Sequence, residues 1–132
     1  MKKILFILFA VTLLSCGAAS AQNPVKDPSR IVQGNGTVVI NTTTLCGDIE
    51  GYMGPTPVEI RIRKDTIIDV ITLPNTETPA YLREASKLLK KWIGLTPTQG
   101  LKLEVDAVSG ATFTSEALIG NMRAGLKRAI EK

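Results

Sequence analysis

Two short apolar segments around a polar dipeptide constrain this fold more than anything else in the chain. Val58, Ile60 and Ile62 alternate with Glu59, Arg61 and Arg63. A period of two marks a strand with one buried face. Lys64-Asp65 follows, and Thr66-Ile67-Ile68-Asp69-Val70-Ile71-Thr72-Leu73 returns. Together they predict a β-hairpin over 58–73. The return strand is the more apolar and is expected to be the more buried. The face carrying Glu59, Arg61 and Arg63 is expected to be solvated. A lone hairpin is at best marginally stable in water, so the rest of the chain must cover its apolar face.

Two helical patterns supply that cover. Over 80–93, Leu82, Ala85, Leu88, Leu89, Trp92 and Ile93 fall on one stripe, with Arg83, Glu84, Lys87, Lys90 and Lys91 outside it. Trp92 reads as core, and Pro79 suits the first turn. From about Thr114 to Ile130, Leu118, Met122, Leu126 and Ile130 recur every four residues. Gly120 and Gly125 lie within that run and each cost about 1 kcal/mol relative to Ala. Their presence predicts close packing against the sheet. Gly94–Gly100, with Pro97, breaks the first pattern, and Leu101-Lys102-Leu103-Glu104-Val105 alternates like another strand. Upstream, Thr37–Thr43 is β-rich after an Asn35-Gly36 turn signal. The expected fold is α+β: a small, mostly antiparallel sheet with at least two packed helices, forming a single domain over 36–132.

The first 35 residues read differently. Lys2 and Lys3 precede an apolar run from Ile4 to Leu14, too short to span a membrane, and Ala19-Ser20-Ala21 gives a cleavage site. Residues 1–21 are therefore expected to be an export signal. Leu13-Leu14-Ser15-Cys16 also resembles a bacterial lipobox, in which Cys16 is lipidated and becomes the mature N-terminus. Both readings place the domain outside the cytoplasm, in the periplasm or an equivalent compartment, and the second anchors it to a membrane. Residues 22–35 are polar with two prolines and read as a linker.

Composition removes several classes of function. There is no histidine and there are only two cysteines, Cys16 and Cys46, so neither a Cys/His metal cluster nor a histidine base is available. The formal charge is +4, and loss of Lys2 and Lys3 with the leader lowers it to +2. That balance is too small to argue for nucleic acid. Cys46 reads as a small buried hydrophobe.

What remains is Asp106-Ala107-Val108-Ser109-Gly110-Ala111-Thr112-Phe113-Thr114-Ser115, a small-residue loop opening the last helix. Four hydroxyls crowd into seven positions at the positive end of a helix, where an anion is welcome. The same residue types also serve as ordinary turns and caps.

Asp-x-x-Ser-Gly-Ala-Thr-x-Thr-Ser resembles the flavinylation motif of the FMN-binding domain family, found in the sodium-pumping NADH:quinone reductase and the Rnf complex. The resemblance extends to Gly51-Tyr52-x-Gly54 and covers roughly residues 36–132. It implies that a flavin transferase joins FMN through its phosphate to the Thr112 hydroxyl. Asp106, Ser109, Gly110, Ala111 and Ser115 are then recognition and phosphate-loop residues. Glu77-Thr78-Pro79 resembles the family's Glu-Thr-Pro-Gly-x-Gly segment, which implies that Glu77, Thr78 and Tyr81 border the flavin, although Ala80 and Leu82 replace the two glycines. The implied role is an exported electron-transfer module with covalent FMN, served by a flavin transferase and by a redox partner chain that can be membrane-bound. Two alternatives stay open: a flavin-bearing subunit of a reductase, and a non-redox binding module that keeps the fold.

Overall fold

In the computed structural model, which describes residues 27–131, the hairpin supplies two strands of a four-stranded antiparallel sheet. The strands are β1 (Arg30–Val32), β2 (Val38–Asn41), β3 (Val58–Arg63) and β4 (Thr66–Thr72), adjacent in that order. The leader over 1–21, Cys16, and residues 22–26 of the expected linker lie outside the described residues.

Lys64 and Asp65 close the hairpin, both in the left-handed region with φ of 50° and 61°. That is the geometry of a two-residue turn whose twist matches its strands. Ile60 stands opposite Ile40 on β2 and Val70 on β4, and Val58, Ile60 and Ile62 are buried. The charged face of β3 is solvated as expected, with Arg61 pairing to Glu59 at 3.0 Å.

The expectation for β4 is corrected. Its register shifts between Arg61 and Ile62, and only Ile67 and Val70 reach the core. Ile68 and Ile71 remain 44% and 39% exposed. The strand lies at the sheet edge, and an antiparallel sheet can leave one face open to water. β1 also departs from the reading, because it occupies part of the segment assigned to a linker. Three residues are too few to show a period in the sequence. Asn41 donates its amide to the Ser29 carbonyl, and Arg128 Nε reaches Asp27 Oδ2 at 2.8 Å, holding the segment down.

The helices are α1 (Pro79–Ser86), α2 (Pro97–Lys102) and α3 (Thr112–Ile130). The first predicted helix is shorter than its stripe: beyond Ser86 it tightens into a 3-10 helix over Lys87–Trp92. Ala85, Leu88, Leu89 and Trp92 are buried, but the change of period leaves Ile93 exposed. The strand expected over 101–105 does not form. Thr96 and Gln99 make a reciprocal capping box around Pro97, starting a helix that ends at Lys102. The alternation does record burial, since Leu101, Leu103 and Val105 pack on the core, but they do so without strand pairing.

Leu118, Met122 and Leu126 of α3 are fully buried over the sheet. At Gly125 a Cβ would lie 2.7 Å from Ile60 Cδ1 and 2.9 Å from Thr42 Cγ2, so the helix approaches the sheet through glycine. Gly120 instead faces Ile49, in the connection before β3. Ile130 ends the stripe exposed. Cys46 is buried, and burial, with Asp48 second, pushes its thiol pKa up, consistent with a packing role.

One polar chain crosses this core. The Val58 amide donates to Thr42 Oγ1 at 2.9 Å, Thr42 donates to Asn121 Oδ1 at 2.7 Å, and Asn121 Nδ2 donates to the Ala117 carbonyl at 2.9 Å. It ties β3, the turn after β2 and α3 together. Asn121→Ala is expected to destabilise the domain by about 1–3 kcal/mol, because it leaves the buried Thr42 hydroxyl without its acceptor. The urea midpoint measures this, and an unchanged midpoint refutes it.

The Asp27 tie carries a pH signature. Hydrogen bonds from the Ser29 hydroxyl and amide, then from Arg128, lower its carboxyl pKa from 3.8 to about 2. A lowered carboxyl stabilises the fold above its unfolded value, and that contribution is lost as pH falls toward the folded one. Asp27→Asn is expected to remove the part of the acid-unfolding curve between 3.8 and about 2. Superimposable acid curves for the variant and wild type would show that the tie is absent in solution.

Candidate functional site

The loop entering α3 has an unusual helix start. Ala111 occupies the N-cap position, with φ −136° and ψ 43°, and no side chain caps the helix. Gly110, with φ +85°, turns the chain into this position, a conformation that costs a glycine little. The Ala111 amide donates to the Val108 carbonyl, and the first helical bond runs from the Ser115 amide to the Ala111 carbonyl. The amides of the first turn therefore point outward from the positive end of a nineteen-residue helix.

The four hydroxyls divide cleanly. Ser115 is buried, and its Oγ accepts from the Val108 amide at 3.1 Å, folding the loop back on the helix. Thr114 is buried, and its Oγ1 donates to Glu77 Oε1 at 3.0 Å. Ser109 and Thr112 are exposed, and of the two only Thr112 lines the adjoining cleft.

That cleft has a volume of about 160 Å³ and is walled by Tyr52, Tyr81 and the segment Gly110–Thr114. Its aromatic residues are open to solvent: Tyr52 is 61%, Tyr81 42% and Phe113 64% exposed. Tyr52 stands edge-on to Tyr81 with ring centres 6.1 Å apart, and tilted by 33° against Phe113 at 6.3 Å. Exposed aromatics gathered beside one free hydroxyl form a surface that suits a planar ring.

Glu77 lies beneath this surface and is 6% exposed. Oε1 accepts from the Tyr52 amide at 2.7 Å, and Oε2 from the Met53 amide at 2.6 Å. With the Thr114 hydroxyl, the carboxylate holds three donors from two separate segments.

The structure brings Thr112, Gly110, Ala111 and Tyr81 together around one cleft. Glu77 does not line it; the side chain faces backbone amides instead. Thr78, at the start of α1, and Ser115, inside the loop, do not line it either. Ser109 stands outside it on the exposed loop. Asp106 opens on a different cleft, of about 420 Å³, shared with Glu116 and Arg123. Tyr52 and Phe113 also line the cleft, and the sequence reading does not single them out as candidate site residues. The available signal was an apolar Phe113 off the buried stripe of α3, beside a loop of small residues.

A family model described as the FMN-binding domain matches residues 51–127, more than half of the chain and both sides of the cleft. No curated protein and no solved structure matches it.

Ser115→Ala removes the acceptor of the half-buried Val108 amide and is expected to destabilise the domain by about 0.5–1.5 kcal/mol, with faster hydrogen exchange at Val108. Wild-type exchange at that amide would show that the loop is held by other means.

Proposed function

We infer the function from one premise: this chain belongs to the FMN-binding domain family. The match supports FMN as its cofactor. The reading developed from it is an exported electron-transfer module carrying FMN through a phosphodiester to the Thr112 hydroxyl. One observation carries it: of the four hydroxyls at the start of α3, Thr112 alone is both exposed and open to the aromatic cleft.

The residues present fit the group. A phosphodiester keeps one negative charge, and the uncapped start of α3 offers first-turn amides and the positive helix end. A Cβ on Gly110 would meet nothing within 4 Å, so the approach to the loop is open. Tyr52, Tyr81 and Phe113 give apolar surface to a flat ring. The bound flavin supplies the redox chemistry, and the protein supplies placement and surroundings.

Two partners follow from this reading: a flavin transferase that modifies Thr112, and a redox chain, soluble or membrane-bound, that meets the exposed cleft. Asp106, outside the cleft, serves transferase recognition in this scheme. The leader over 1–21 exports the protein, either free after Ala21 or anchored through lipidated Cys16.

Wild type and Thr112→Ala, exported in a host with an active flavin transferase, provide the test. Intact mass and in-gel flavin fluorescence after denaturation are expected to show one covalent FMN on the wild type and none on the folded variant. Covalent flavin on Thr112→Ala refutes the attachment point. Unmodified wild type beside a control substrate that is modified refutes the covalent reading and favours a non-redox module.

A further inference from the structure

We propose that Glu77 is the positioning residue of the aromatic cleft, acting on a flavin held there through Tyr52 rather than by direct contact. The inference rests on the FMN reading for its consequence, but its geometry stands without it.

The grip is specific. Two consecutive amides, Tyr52 and Met53, donate to the two oxygens of one carboxylate. The turn they belong to is otherwise closed by the Gly51 amide to the Gly54 carbonyl at 2.7 Å, with a longer bond from Thr76 Oγ1 to the Met53 carbonyl at 3.3 Å. The exposed Tyr52 ring has no hydrogen bond of its own among the described residues; it meets Tyr81 and Phe113, and the backbone beneath it sets where it stands against them. Through Thr114, the same carboxylate is tied to the first turn of α3, which carries Thr112. Tyr81 follows four residues after Glu77 on α1. One side chain thus couples the three segments that wall the cleft.

Gly51 shows how tightly the carboxylate is seated. A Cβ there would lie 1.7 Å from Glu77 Oε1 and 2.8 Å from its Cδ. A flexible Glu could swing aside, but this one would have to release its donors. The glycine therefore makes room for the carboxylate at the base of the turn.

The test uses Glu77→Gln, Tyr52→Leu and the double variant. Gln keeps the size of the side chain but sets an NH2 group against one of the two amides. In the unloaded protein, hydrogen exchange at Tyr52 and Met53 is expected to quicken about tenfold or more, the effect of losing hydrogen bonds to a charged acceptor. In the loaded protein, flavin fluorescence per bound FMN is expected to rise as the quenching tyrosine loses its place. Tyr52→Leu is expected to raise it too, and Glu77→Gln to add nothing further in the Tyr52→Leu background. Additive effects overturn the inference, as do wild-type exchange and fluorescence in Glu77→Gln.

Should Glu77→Gln fail to fold, Thr114→Val removes only the third donor. Positioning then predicts a smaller rise in fluorescence in the same direction, which must vanish with Tyr52→Leu; no change overturns the inference. Wild-type protein without FMN would sink the flavin reading alone, and exchange at Tyr52 and Met53 would still decide whether the grip exists.

Discussion

Everything at the cleft depends on how α3 lies on the sheet. Leu118, Met122 and Leu126 are fully buried, and burial of such side chains contributes roughly 1.5–3 kcal/mol each. Gly125 lets the helix backbone descend onto Ile60 and Thr42. The polar chain through Asn121 fixes the helix against β3, because shifting it along its axis would break buried hydrogen bonds. With the helix so seated, the loop sets its start: Gly110 turns the chain, and Thr112 is the first helical residue.

That beginning gives up local stability. A Ser, Thr, Asp or Asn at the N-cap contributes about 1 kcal/mol over Ala, yet Ala111 stands there in a sequence with hydroxyls on either side. Two of those hydroxyls have other duties: Ser115 restrains the loop, and Thr114 reaches Glu77. The segment keeps its outward amides and, on the cleft side, the Thr112 hydroxyl free while securing itself from behind. Packing of the rest of α3 on the core offsets the missing cap.

Much of this was legible in the sequence. The period of two in 58–63 and the four-residue spacing of Leu118, Met122 and Leu126 gave the hairpin and the main helix, because both record burial against a single face. The alternation at 101–105 records partial burial, but Leu103 and Val105 pack without a partner strand, and periodicity does not report pairing. β1 was invisible for the opposite reason, being held by Asp27, Ser29 and β2 rather than by a pattern of its own. At the site, the motif pointed to Thr112, Gly110 and Ala111 on the cleft. The resemblance implies that Glu77 borders a flavin, whereas its hydrogen-bond partners lie 24 and 25 residues upstream and 37 downstream, and no local rule joins them. Tyr52 and Phe113 meet only in three dimensions.

The pairing of Asp27 with Arg128 sets the first described residue against the last turn of α3. Arg128 lies sixteen residues beyond Thr112 on one helix, a rise of about 24 Å. Among the described residues, Asp27 therefore lies near one end of α3, while the Thr112 hydroxyl and its aromatic rim lie at the other. Whatever meets the domain at Asp27 therefore meets it at the opposite end of α3 from the cleft.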